Sequence, residues 1–254
     1  MQWGKIKNIL IVLFLILNLF LLYNYVSLKQ EQGNSINEIN QNFVQILAQK
    51  GVQIDPGLLP KSEETYKSIN LTTTEAGLQN QMKILLDDYE KNDLGAANLQ
   101  YISSSGQITI KNDGTFNGQL NNFDIVTIKN AFGITEEIAF DRQILQYINN
   151  KPVYNCFLTI TQDQENKIFI FGRWIFGQTS FEQKDESNNF WNNILSFVVL
   201  AQKQTQISQI QDIQVGYLAD PGAAPVVAAN AALEILVDGK KYYFNITSQE
   251  IVLK

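Results

Sequence analysis

Acidic side chains are the residues of this chain most able to do chemistry, because two carboxylates at a suitable separation can act as general acid and general base. Adjacent pairs occur at Glu63-Glu64, Asp87-Asp88 and Glu136-Glu137. Neighbouring residues project in different directions from a helix or a strand, so these pairs indicate solvated surface. Two carboxylates that are distant in sequence could still be brought together by the fold, so a surface hydrolase is one of the hypotheses for this chain.

Other catalytic and metal-binding residues are scarce. The 254 residues include no histidine, and Cys156 is the one cysteine. Without histidine there is no Ser-His-Asp or Cys-His pair and no zinc site of the usual kind. A single cysteine excludes an internal disulfide, and in a strand it is expected to be a small buried hydrophobe. We therefore expect a protein that is not an enzyme, with no catalytic residue, metal site or cofactor.

The charge balance restricts the partners. The formal net charge is −6, which argues against nucleic acid, since phosphate binding requires a basic face. No glycine-rich phosphate loop or EF-hand pattern is present, and no small-molecule substrate is expected.

The amino-terminal segment is the strongest feature of the sequence. Residues 8–28 contain no charged side chain, and roughly twenty apolar residues suffice for a helix to cross the bilayer core. Lys5 and Lys7 precede this segment, whereas the first charges after it, Lys29 and Glu31, nearly cancel. The positive-inside rule therefore predicts a cytoplasmic amino terminus, with the remainder of the chain outside the cell.

A cleaved signal peptide is the alternative interpretation of this segment. Its cleavage site would consist of small residues, but the segment ends in the bulky run Leu22 to Ser27. We thus predict a cytoplasmic tail over residues 1–7 and an uncleaved single-pass transmembrane helix over residues 8–28 of a cell-membrane protein.

One face of this predicted helix is a candidate for partner binding. Asn18 places a carboxamide within the apolar segment, where it bonds either a neighbouring helix or its own backbone, and both alternatives remain open. No GxxxG pattern favours a tight homodimer. The residues that share the face of Asn18 at helical spacing are Ile11, Phe14, Leu15, Leu21, Leu22 and Tyr25.

The outer region is predicted to form two small domains that mix helices with antiparallel strands. Residues 29–150 carry capping signals for two helices, at Ser35 and at Thr72 to Glu75, and a boundary signal at Asn149 to Pro152. Between them, strands are predicted over 99–102 and 107–110, and another helix over 136–148.

Residues 151–254 open with a predicted hairpin of strands 153–160 and 167–176. A helix capped by Ser187 follows, then a strand over 210–218 and a terminal hairpin around Asp238-Gly239. The buried face of this helix is predicted to consist of Phe190, Ile194, Phe197, Val198 and Ala201. The predicted fold class is α+β: one transmembrane helix followed by two small sheet-and-helix domains. The terminal hairpin resembles the PepSY type of sheet, which implies that the second domain is PepSY-like.

Both ends of the chain resemble one family. Trp3, Lys5 and Lys7 before the apolar run, Val215-Gly216-Tyr217, and the terminal hairpin from Leu233 to Asn245 are similar to the YycI (WalI) proteins. The chain departs from the family pattern at Ala232-Leu233, where a tryptophan is expected, and at Gln249, where a glycine is usual.

The resemblance implies a non-enzymatic accessory regulator of a WalK/WalR (YycG/YycF) two-component system of Gram-positive bacteria, which controls cell-wall metabolism. It further implies association with a YycH-like protein and with the sensor histidine kinase, the latter partly through transmembrane helices. A PepSY-like surface module that binds or inhibits a secreted peptidase or a wall component is the second hypothesis.

Overall fold

The structure is a computed structural model that describes residues 3–62, 66–96, 98–121, 124–138, 140–176, 178–186, 189–220 and 226–253. Within these ranges the side chains of residues 3–13, 15–16, 26–34, 73, 178–186, 226 and 253 lie outside the description. The chain divides into two compact units, residues 1–64 and residues 65–254.

The first unit is dominated by one long helix. Helix α1, Trp3–Gln49, is continuous over 47 residues. The prediction of two separate helices, the second beginning at Ser35, is therefore wrong. No proline lies between them to interrupt the backbone hydrogen bonds, and the single glycine there, Gly33, is tolerated in a helix at a cost of about 1 kcal/mol.

The predicted transmembrane helix was part of the fold class, and that part is wrong as well. In the part of the chain that the structure describes, no helix combines the length and the apolar character needed to cross a membrane. The observed element is also not the separate helix predicted over residues 8–28, because α1 continues to Gln49.

A short turn follows α1. Gly51 adopts a positive φ of 76°, which favours glycine, and the Val52 amide then donates to the Leu47 carbonyl at 2.9 Å. Strand β1 is Gln53–Ile54, and a 3₁₀ turn is Pro56–Leu58. The turn is capped by Asp55, whose side chain accepts a hydrogen bond from the Gly57 amide.

The second unit is built on one extended sheet. Its strands run antiparallel in the order β10-β2-β12-β11-β8-β9-β6-β5-β4-β3, apart from a short parallel contact between β11 and β8; β7 adds to β8, and β13 and β14 extend from β12. The strands are β2 Tyr66–Thr73, β3 Glu90–Gly95, β4 Asn98–Ser103, β5 Gly106–Ile110, β6 Thr115–Leu120, β7 Gln143–Ile148, β8 Lys151–Gln162, β9 Ile168–Arg173, β10 Gln178–Glu186, β11 Gln209–Ala219, β12 Val226–Val237, β13 Lys240–Asn245 and β14 Glu250–Leu253.

This single sheet corrects the predicted pair of small sheet-and-helix domains. Strand β6 pairs with β9 over six residues, and β2 pairs with β12. Both pairings join residues before position 150 to residues after it. Pairing between distant strands is set by tertiary contacts that local sequence signals do not report.

The predicted boundary at Asn149 to Pro152 is a hairpin turn. Asn149 and Asn150 have φ values of 50° and 60°, the left-handed geometry of the tight turns that suit the twist of two strands. The helix predicted over 136–148 is wrong: its last six residues form strand β7, in which burial alternates between neighbouring residues. Alternation of buried and exposed side chains every second residue is the pattern of a strand, and it prevails here over the helical spacing that the sequence suggested.

In the described part of the second unit the helices are α2 Glu75–Leu86, α3 Ile125–Phe132 and α4 Phe190–Gln204. Residues of α2 and α3 share a buried cluster with strands β4–β6, β8 and β9. Phe197 of α4 packs its ring against Tyr242 and Phe244. The predicted terminal hairpin is confirmed, as is the predicted buried face of α4, whereas Ser187 lies outside the described residues.

Candidate functional site

The apolar surface of α1 is the first candidate site. Among the predicted partner-binding residues, Phe14 is 66% exposed, Leu22 59% and Tyr25 64%. Exposure of this kind over several helical turns marks a surface that is covered by another protein or by lipid. Leu21 is also exposed, whereas the side chains of Ile11, Leu15, Lys5 and Lys7 lie outside the described residues.

Over residues 17–25, exposed apolar side chains lie on all sides of α1. Leu17, Leu19, Phe20 and Tyr23, which lie away from the Asn18 face, are exposed by half or more of their area. Exposure therefore does not single out the predicted face. Asn18 is the feature that distinguishes it.

Asn18 already has one partner within its own helix. Its Nδ2 donates to the Phe14 carbonyl oxygen, four residues earlier, at 2.8 Å. This is the self-bonded alternative that the sequence left open. A carboxamide has a second amide hydrogen and an acceptor oxygen, so it retains the capacity to bond a neighbouring helix.

The second candidate site is a cleft in the second unit, with a volume of about 490 Å³. It lies between α2, the end of α3 and the strand β7, and Trp174 forms part of its wall. The Gln81 side chain donates to the Ala131 carbonyl at 2.9 Å and ties α2 to α3 at this point. The size is typical of a ligand pocket.

A buried glutamine fixes one wall of the cleft. Gln146 of β7 donates from Nε2 to the Ile175 carbonyl oxygen and accepts from the Ile175 amide at Oε1, each at 3.0 Å. The side chain thereby bonds the backbone of Ile175, which lies just beyond the end of β9, in the way that a neighbouring strand would. Sequence reasoning missed this role, and the only signal was a polar residue at a buried position of the alternating pattern.

The described lining of the cleft is mostly uncharged. Of the described residues that line it, Glu136 alone carries a charge, beside the amides Asn80 and Asn130 and the hydroxyl of Thr135. The two-carboxylate mechanism of most glycosidases would require a second carboxyl group here. The described residues also contain no group of three or more potential metal ligands.

Two of the adjacent carboxylate pairs lie at the surface. Asp87 and Asp88 are exposed, as are Glu136 and Glu137, which confirms the prediction of solvated surface for these two pairs. Glu63 and Glu64 lie outside the described residues.

Cys156 is fully buried. Burial raises the pKa of its thiol to about 12, so the thiolate that a nucleophile or a metal ligand needs is not populated near neutral pH. The expected role as a small buried hydrophobe is confirmed.

A buried acidic residue in the terminal hairpin was not found from the sequence. Glu234 is 7% exposed and pairs with the Lys241 ammonium group at 2.7 Å. Beside it, the pKa of Tyr243 is raised to about 12 by burial and by its hydrogen bond to Glu234. The Tyr154 hydroxyl donates to the Gln214 carbonyl oxygen at 2.9 Å. These contacts help to hold strands β8 and β11–β13 in register.

Comparison with known proteins yields a distant structural likeness. No protein-family model matches the chain, and no curated protein matches it. An uncharacterized protein from Eubacterium rectale ATCC 33656, whose crystal structure was solved at 1.45 Å resolution, is similar over 75% of this chain and 86% of its own. The two share 10% sequence identity with a TM-score of 0.41.

Proposed function

We propose that this protein is a non-enzymatic accessory regulator that binds a sensor histidine kinase of the WalK (YycG) type together with a YycH-like protein. In this role it adjusts two-component signalling that controls cell-wall metabolism. The observation that carries the proposal is the exposed apolar surface of α1, which includes Phe14, Leu22 and Tyr25. The resemblance of both chain ends to YycI proteins supplies the identity of the partners.

The physical basis is differential packing. A regulator shifts a kinase between signalling states only if it binds one state better than the other. An apolar helix achieves this by packing against the kinase helices, and a carboxamide such as that of Asn18 adds a directional bond. Among the described residues that line the cleft, Glu136 is the one with a carboxylate.

The test is co-purification of the full-length chain with the kinase and the YycH-like protein in detergent. Asn18→Leu removes the carboxamide and is expected to weaken recovery of the kinase. Phe20→Leu, on the opposite side of α1, is the matched control and should leave recovery unchanged. Failure of the unaltered chain to recover the kinase contradicts the proposal. Unchanged recovery with Asn18→Leu removes this residue from it.

We further propose that the protein acts at the cell membrane, with the second unit outside the cell. The uncharged run over residues 8–28, preceded by Lys5 and Lys7, supports this location. Fractionation of cells that express the full chain should recover it with the membranes. Removal of residues 1–28 should release it, and recovery of the full chain in the soluble fraction would refute the location.

The cleft favours a second candidate function, a surface module that binds or inhibits a secreted peptidase or a wall component. A cavity of about 490 Å³ with amide and hydroxyl groups in its wall can accept a peptide segment. This candidate is tested by peptidase inhibition assays with secreted peptidases. If the protein is such a module, it should inhibit a secreted peptidase, and Asn80→Ala should weaken that inhibition. If it acts only as a kinase regulator, no peptidase inhibition is expected.

A further inference from the structure

One face of the sheet in the second unit carries a regular array of uncharged polar and aromatic side chains. Directly opposed residues on six neighbouring strands form a row. The row consists of Thr159, Phe171, Asn117, Thr109, Gln100 and Asn92.

A second row lies two positions further along each strand and on the same face, because side chains alternate between faces with a period of two. Its members are again directly opposed from strand to strand. They are Thr161, Phe169, Gln119, Gln107, Ile102 and Glu90. We call the two rows together the amide face.

The amide face is exposed over most of its width. Phe171 is 42% exposed and Ile102 38%, and Asn117 and Gln107 are also exposed. Thr159, on β8, is buried and marks one end. The opposite face of the same strands is apolar and shares the buried cluster with α2 and α3, so the composition of the amide face is not required by the core.

The size of the amide face suits a polymer. Neighbouring strands lie about 4.8 Å apart, so six strands span roughly 24 Å. The rows run across the strands as two parallel tracks of side chains. Glu90, at the end of the second row, is the one charged residue in the two rows.

We propose that the amide face binds a neutral polysaccharide. A carboxamide presents a donor and an acceptor on one planar group, which matches adjacent hydroxyl groups of a sugar, and threonine adds further hydroxyl partners. The exposed ring of Phe171 offers an apolar surface for the C–H groups of a sugar ring.

The charge and polarity of the face exclude the main competitors. A charged polymer gains no ion pair from the neutral centre of the array, where Asn117, Thr109 and Gln107 lie. An apolar partner would remove water from these groups without replacing their hydrogen bonds, which is unfavourable for each group. A neutral chain that carries many hydroxyl groups satisfies them.

The inference is independent of the proposed kinase contact, because none of its residues lies on α1. The test uses the full chain in a detergent without sugar groups, titrated separately with cellohexaose, chitohexaose and maltohexaose at up to millimolar concentration. Binding is followed by isothermal titration calorimetry, with dextran sulfate as the charged comparison. We expect at least one neutral hexasaccharide to bind and dextran sulfate not to bind.

Two variants locate the site. Phe171→Ala and the double variant Asn117→Ala with Gln107→Ala alter exposed positions and should each weaken binding at least tenfold. Val199→Ala, on the exposed side of α4, is the matched control and should bind as the unaltered chain does. Absence of binding by all three hexasaccharides overturns the proposal, and so does binding that both variants retain. Self-association that Phe171→Ala abolishes, without sugar binding, would instead assign the face to a second copy.

Discussion

Replacement of Gln146 by leucine tests how the wall of the cleft is held. The substitution keeps a buried side chain of similar size but removes both polar atoms. In the native structure these atoms bond the amide and the carbonyl oxygen of Ile175, each at 3.0 Å. Gln146 is 5% exposed and Ile175 6%, so water has little access to the two backbone groups that the substitution leaves without partners.

The expected loss of stability follows from these two groups. Each buried polar group that loses its partner costs about 1–3 kcal/mol, or roughly 4 kcal/mol for the pair. Burial of the additional apolar atoms of leucine offsets about 1 kcal/mol of this loss. We therefore expect Gln146→Leu to lower the free energy of unfolding by about 3 kcal/mol. For a unit of this size, that corresponds to a decrease in Tm of about 6–12 °C.

The assay is thermal unfolding followed by circular dichroism, on the full chain in detergent. Gln209→Leu is the matched control, because Gln209 is an exposed strand residue and its replacement should change stability by no more than about 0.5 kcal/mol. If Gln146→Leu unfolds at the same temperature as this control, the two bonds to Ile175 do not support the wall of the cleft.

Three further predictions concern single residues. Cys156 is buried, so its thiol should react with a maleimide only after unfolding, and rapid reaction of the native chain would contradict its placement. Hydrogen bonds from Ser208, first through its hydroxyl group, lower the pKa of Asp238 below the usual 3.8. The contribution of the Asp238 carboxylate to the free energy of unfolding should thus be complete above about pH 4 and be lost as the pH falls through the lower pKa of the folded state. Asp238→Asn should therefore reduce the decrease in Tm over that pH range. If the dependence of Tm on pH is the same in the variant, the carboxylate does not contribute in this way. A Cβ added at Gly216 would lie 2.5 Å from the Pro152 carbonyl oxygen. Gly216→Ala should therefore lower the free energy of unfolding, measured with urea, by about 1–3 kcal/mol or more. An unchanged free energy of unfolding would contradict the close approach of β11 and β8.

Local signals predicted many elements of the second unit. The Asp238-Gly239 turn between apolar runs marked the terminal hairpin, and both residues have the positive φ that such a turn requires. The spacing of Phe190, Ile194 and Phe197 predicted the buried face of α4, and all three are buried. These features depend on neighbouring residues, which is why the sequence reports them.

Long-range pairing could not be predicted in the same way. Nothing in the sequence of β2 indicates that it pairs with β12, more than a hundred residues later in the chain. The interpretation of Asn149-Asn150 as a domain boundary had the same origin, because the composition of a linker and that of a tight turn are alike. At the amino terminus, the capping signal at Ser35 was outweighed by the continuity of α1.

The candidate sites were accessible to sequence reasoning only in part. The apolar run of α1 was evident, whereas the cleft and the role of Gln146 depend on three elements that meet in space. The amide face likewise exists only because six strands align Asn117, Thr109 and Gln100 in register. Each of these residues alone is an ordinary polar strand residue.

Site-specific photo-crosslinking in cells tests the proposed kinase contact most directly. A photoreactive amino acid is placed at Leu22, on the Asn18 face, or at Phe20, on the opposite side; each of these side chains is 59% exposed. If the Asn18 face contacts the kinase, we expect a stronger crosslink to the sensor histidine kinase from position 22 than from position 20. Crosslinks to the kinase from neither position would contradict the proposed contact.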